Sequence, residues 1–161
     1  MRVFAILLTM CVVFLSSCRE PLTLAGFIFK DQELPGNCRI VSVKPGEELP
    51  CGIKSNPFVS SERQFLDCFA RMLVDDESLV AATRSALFSL YKEKGEIGVC
   101  GLEFDSETSA SQTATLLREK NTDVKRFAIF QKGRIAILLW RDDETDTCFD
   151  RLKEAIEARI K

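Results

Sequence analysis

The sequence has no histidine at all, which leaves carboxylate or lysine chemistry as what remains open to it. That absence removes the usual general base, the Ser-His-Asp and Cys-His arrangements, and the commonest transition-metal ligand in one step. Seven cysteines are present, at positions 11, 18, 38, 51, 68, 100 and 148. No two of them form Cys-x-x-Cys, the spacing of a thioredoxin-like redox pair or a zinc ribbon. Ser89-Leu90-Tyr91-Lys92 has the Ser-x-x-Lys spacing in which a lysine activates a serine nucleophile. It falls inside a predicted helix without ordered partner motifs, and a match this short arises about once by chance in such a chain. Two acidic clusters, Asp75-Asp76-Glu77 and Asp142-Asp143-Glu144, supply carboxylates for Ca²⁺ but lack the alternating spacing and glycine of an EF-hand loop. They read as helix caps. Trp140, at the end of a predicted strand, reads as core before ligand platform. No catalytic constellation, metal site or cofactor follows from these residues.

Cys18 differs from the other cysteines by its setting. Met1 and Arg2 give a basic start, Val3 to Leu15 is an unbroken apolar run, and Ser16 and Ser17 are small residues just ahead of the cysteine. A positive end, an apolar core shorter than the roughly 20 residues of a membrane span and a small-residue exit make an export signal. Leu15-Ser16-Ser17-Cys18 resembles the lipobox of bacterial lipoproteins. The resemblance covers the leader alone. It implies that residues 1–17 are cleaved as a signal peptide, that the Cys18 thiol carries a diacylglyceryl group, and that the new amino terminus is acylated as well, palmitate being a usual chain. Two or three acyl chains make a stable anchor where one is marginal. Arg19 follows the cysteine where an Asp would favour inner-membrane retention in that family. The expected place is therefore the outer membrane, facing the periplasm, with residues 18–23 as a lipidated tether.

Removing residues 1–17 leaves 144 of the 161, a normal length for one domain with a core of its own. Charged residues at 29% and hydrophobic ones at 46% exclude a disordered chain. Net charge is -2, and -3 once Arg2 leaves, so no basic excess marks a nucleic-acid partner. With Cys11 lost and Cys18 alkylated, Cys38, Cys51, Cys68, Cys100 and Cys148 remain. In an oxidising compartment five thiols make two bridges and one leftover.

The elements that must position these residues follow from periodicity. Leu22 to Lys30 and Arg39 to Val43 read as two short strands around a turn at Pro35-Gly36, and the Pro57 region reads as a linker. Ser61 and Gln64 form a capping box ahead of a helix whose Phe65, Cys68, Phe69 and Met72 make an apolar face, which points Cys68 inward. A second helix is expected over Leu79 to Glu93. Then come a strand over Ile97 to Phe104, a helix capped by Asp105-Ser106-Glu107, and two apolar strands, Val124 to Gln131 and Arg134 to Trp140. Lys132-Gly133 makes a tight turn between those strands. A last helix, capped by residues 142–145, carries Phe149, Leu152, Ile156 and Ile160 as one stripe.

The expected architecture is a single α+β domain over residues 24–161, an antiparallel sheet with its helices packed on one face. Its C-terminal β-α-β-β-α unit has a ferredoxin-like layout short of its last strand and is preceded by a β-hairpin and two helices. If its first and third strands are antiparallel neighbours, Cys148 lies over Cys100. The expected bridges are Cys38 with Cys51 and Cys100 with Cys148, leaving Cys68 free. The layout, with Gly101-Leu102-Glu103-Phe104-Asp105 running into a Ser/Thr/Ala-rich helix, is loosely similar to SPOR domains, which bind peptidoglycan glycan strands. The paired glycine-containing turns of that family are not reproduced, since Trp140-Arg141-Asp142 stands where the second would be. The reading reached is a non-catalytic binding or structural module of the cell envelope, attached to the membrane through lipid on Cys18. Its expected partner is another envelope protein or peptidoglycan. A small periplasmic hydrolase using carboxylates or Ser89 and Lys92 is the alternative.

Overall fold

A computed structural model describes residues 22–34, 36–47 and 49–161. The leader, Cys18 and the first part of the tether lie outside the described residues. No helix among the described residues is long and apolar enough to cross a membrane.

The described residues begin with 3₁₀ turns at Leu24–Phe27 and Asp31–Glu33 and then lay down β1 (Arg39–Ile40). A third such turn, Pro50–Gly52, leads to β2 (Phe58–Ser60), α1 (Arg63–Leu73), α2 (Glu77–Ala82) and the long strands β3 (Thr83–Lys92) and β4 (Glu96–Phe104). α3 (Glu107–Lys120), β5 (Phe127–Lys132), β6 (Ile135–Arg141) and α4 (Thr147–Ile160) complete the set. All strand pairs are antiparallel, in the order β1-β3-β4-β6-β5, with β2 also pairing β3. The fold is thus α+β, with a six-stranded antiparallel sheet and, among the described residues, four helices.

The first and third strands of the C-terminal unit, β4 and β6, are antiparallel neighbours, with Cys100 opposite Leu138. Ser106 caps α3 through its side chain, which accepts from the Ser109 N–H. Gly133, at a φ of 52°, opens the two-residue turn between β5 and β6, a backbone region that costs a glycine little.

The helices occupy both faces of the sheet, not one. Ala86, Phe88, Leu90, Cys100, Leu102 and Leu138 face α1, α2 and α3. Leu87, Tyr91, Ile97, Val99, Ile137 and Leu139 face α4 and the segment carrying Leu24, Phe27 and Phe29. A sheet covered on both sides needs apolar residues at every position of its central strands. The near-continuous apolar runs of β4 and β6 state this in the sequence.

Several local expectations are corrected as well. Leu79 to Glu93 is not one helix, since only Glu77–Ala82 is helical and β3 starts at Thr83. Residues 22–30 form no strand, their only regular structure being the 3₁₀ turn Leu24–Phe27, and the Pro57 region contains β2 after a cis Asn56–Pro57 bond. α1 buries Phe65, Leu66, Phe69 and Ala70, so Cys68 and Met72 stand on the exposed side. Leu66 and Ala70, one position on from Phe65 and Phe69, pull the buried stripe away from Cys68. α4 takes Asp146 as its cap rather than residues 142–145, and that side chain accepts from the Cys148 N–H.

Candidate functional site

The bridges are Cys38–Cys148 and Cys51–Cys68, and Cys100 is the buried free thiol. Two bridges and one leftover were expected, but the pairing is different. Cys51 and Cys68 meet because α1 turns Cys68 outward onto the Pro50–Gly52 turn. Cys148 sits on the face opposite Cys100, because α4 and α3 lie on opposite sides of the sheet.

The Ser89 and Lys92 pair is not assembled. Both residues lie on β3, where side chains three positions apart point to opposite faces. Ser89 is buried and Lys92 is exposed. The acidic clusters are also accounted for locally. Asp76 accepts from the Ser78 hydroxyl and from the Ser78 and Leu79 amides, which hold its carboxyl below the usual range. Asp142 accepts from the Glu96 amide at 2.7 Å, and Asp143 accepts from the Thr145 amide and hydroxyl. Among the described residues no three potential metal ligands stand together.

What the fold does bring together is an apolar cavity of about 250 Å³ on the face shared with α1 and α3. Its floor is two cross-strand rows of the sheet, Leu90-Gly98-Trp140 and Phe88-Cys100-Leu138, read across β3, β4 and β6. Leu49 and Pro50 wall it on one side, and Met72 and Leu73, at the end of α1, on another. Gly98 permits this shape. A Cβ there would overlap the Trp140 ring, so only glycine lets the indole lie flat across the neighbouring strand. Met72 at the lip is 49% exposed, an adaptable thioether beside an open apolar surface. Glu96 is the one charged residue of the lining.

Cys100 at the floor is chemically quiet. Burial pushes its thiol up to about 12, against a smaller opposing effect of a hydrogen bond with Trp140. A thiol that keeps its proton at neutral pH is a small hydrophobe, since the thiolate is the nucleophile. The cavity therefore offers shape, apolar surface and the aromatic rings of Trp140 and Phe88, a setting for binding.

Trp140 and Cys100 were visible as notable residues in the sequence, but the first read as core before platform and the second as half of a bridge that the structure does not form. Leu49, Pro50, Met72, Leu73 and Gly98 were not. The single available signal was Gly98, a glycine inside an apolar strand, which marks a close approach of another group.

These features define an α+β protein with an apolar, aromatic-floored cavity between a helix end and the sheet. Compared with family models, with curated proteins and with solved structures, the chain matches none.

Proposed function

We propose that this protein is an exported, lipid-anchored binding module of the cell envelope, which takes a neutral apolar group of a small molecule or partner into the Trp140 cavity. One observation carries the binding role: the floor of Trp140 over Gly98, ringed by Leu73, Met72 and Pro50, is an apolar concavity open to solvent. The anchoring role rests on Leu15-Ser16-Ser17-Cys18 and on the two cysteine pairs at bonding distance, which favour an oxidising compartment. Trp140 is the only tryptophan, so its emission reports on the cavity directly.

The test uses the domain from Leu22 onward with N-phenyl-1-naphthylamine, a neutral apolar fluorophore. Saturable energy transfer from Trp140 is expected, with affinity falling at least about tenfold in Met72→Asp, a loss of about 1.4 kcal/mol. Equal binding to both proteins refutes the cavity as the site. In cells, Cys18→Ala should abolish palmitate labelling and membrane fractionation; an unchanged product refutes the anchor. Co-sedimentation with purified sacculi that survives Met72→Asp would move the binding function to peptidoglycan and away from the cavity.

A further inference from the structure

The sheet has two edges, and they are treated differently. At one, β1 and β2 both pair with β3, and the Asn56 side chain fills the gap between them. At the other, β5 pairs with β6 and, among the described residues, with no further strand. In an antiparallel hairpin with a two-residue turn, alternate residues exchange both backbone bonds with the partner strand. Lys132 opposite Ile135 begins that series, and the Arg141 N–H donating to the Arg126 carbonyl continues it. Phe127, Ile129 and Gln131 therefore turn their backbone groups outward. The Phe127 N–H is taken by the Asp123 carbonyl. Ile129 and Gln131 keep both N–H and C=O free, among the described residues.

This edge is not flat. An open groove of about 580 Å³ runs along it, with Arg118 and Asn121 of the α3 end on one side and Lys153 and Glu157 of α4 on the other. Between residues 118 and 134 six basic side chains (Arg118, Lys120, Lys125, Arg126, Lys132 and Arg134) stand against two acidic ones, in a chain of net charge -2. Lys125 and Arg126 meet Glu144, Arg126 also meets Asp123, and Arg134 meets Glu103. Arg118, Lys120, Lys132 and Lys153 have no ion-pair partner among the described residues. Val124, in the loop leading to β5, is 80% exposed.

We propose that the free edge of β5 is a docking site to which an extended, acidic peptide segment adds as a further strand. Main-chain bonds to Ile129 and Gln131 supply the pairing, and the unpaired lysines and arginines select negative charge at the strand flanks. A second copy of the same chain fits this edge poorly. Symmetric antiparallel pairing about Ile129 would set Arg126 opposite the other copy's Lys132, and like charges directly opposite destabilise a strand pair.

The test uses the purified full chain in neutral detergent and a blocked peptide of alternating Glu and Val. Binding is expected to protect the Ile129 and Gln131 amides from hydrogen exchange. The Lys/Val analogue should bind at least about tenfold more weakly. A Glu/Val peptide N-methylated at alternate residues keeps its charge and apolar surface but cannot pair, and should lose binding to a similar degree. Ile129→Pro in the protein should do the same, because that N–H is not used inside the sheet and proline is tolerated on such an edge. Equal binding of the N-methylated peptide, or of the basic one, overturns the proposal. So does protection of these amides by phosphatidylglycerol vesicles or by self-association in place of the peptide.

Discussion

Asn56 does with its side chain what a strand does with its backbone. Its Nδ2 donates to the Val41 carbonyl at 2.8 Å and to the Leu90 carbonyl at 2.6 Å, while its Oδ1 accepts from the Leu90 N–H at 2.8 Å. β1 ends at Ile40, opposite Tyr91, and β2 begins at Phe58, opposite Phe88. Without the amide, the Leu90 N–H would face an apolar interior with no acceptor. A buried donor left unmade costs about 1–3 kcal/mol, more than the bond itself contributes when formed. Asn56→Ala should therefore lower the urea midpoint by an amount worth about 1–3 kcal/mol at an unchanged m-value. A change too small to resolve would mean that water reaches Leu90 and that the edge is held by β1 and β2 alone. Gly98 makes the complementary point: here the absent side chain is what matters, since any Cβ would displace the ring that floors the cavity.

At the level of elements, the start of α4 is held by two carboxyl groups of opposite tendency. Asp146 is fully buried and accepts from the Cys148, Lys94 and Gly95 amides. Burial, and then the neighbouring Glu93 carboxylate, push its carboxyl above the usual range. Glu93 is held below its usual range by the hydrogen bond from Asp146 and then by the Cys148 amide. The raised group stabilises the fold fully below its unfolded value of about 3.8 and loses that contribution as pH rises through its folded value. The lowered group contributes above about 4.5 and loses it as pH falls through its folded value. Asp146→Asn retains an acceptor for the cap and a donor for Glu93 without a proton to lose. Its stability relative to the parent should improve as pH rises from about 4 to 7, read from urea unfolding at each pH; a gap that does not move with pH would show that the pair shares no proton. Elements of this kind differ in how well the sequence announces them. β4, α3, β6 and α4 were legible because their apolar residues are bounded by a glycine, a cap or a turn. β3 was not, because Leu79 to Tyr91 mixes alanine, leucine and serine in a run that suits a helix by composition, and a strand buried on both faces shows no alternation. The misplacement of β3 and of the helix faces explains why the cysteine pairing and the cavity walls, which depend on both, could not be reached.

For the whole molecule, the telling path is that of residues 22–60, which include little regular structure and yet bury Leu24, Phe27, Phe29 and Ile53 almost completely. The segment covers one face of the sheet at Leu24 to Phe29, passes the β3 edge through β1, and reaches the other face at Ile53. Arg159 of α4 holds its beginning, lying 4.0 Å over the Phe29 ring and pairing with Glu33 at 2.7 Å. A bridge pins it on each side, Cys38 to α4 and Cys51 to α1, so the covalent frame substitutes for the ladder bonds that the segment lacks. The two bridges are unequal in what they close. Cys51–Cys68 spans a separation of 17 and Cys38–Cys148 one of 110; by the loop-entropy model these contribute about 3 and about 4.7 kcal/mol. A domain of ordinary stability has about 5–15 kcal/mol in all, so losing the longer closure takes away between about three tenths and nearly all of it. Replacing Cys38 and Cys148 together by serine should accordingly lower stability more than replacing Cys51 and Cys68 together, with residues 22–34 becoming the first to exchange their amide hydrogens. Urea unfolding of the two double variants beside the parent, with exchange followed by mass spectrometry, decides it. The reverse order of stability would show that native contacts around the Cys51–Cys68 bridge, and not restriction of the unfolded chain, set what each crosslink is worth.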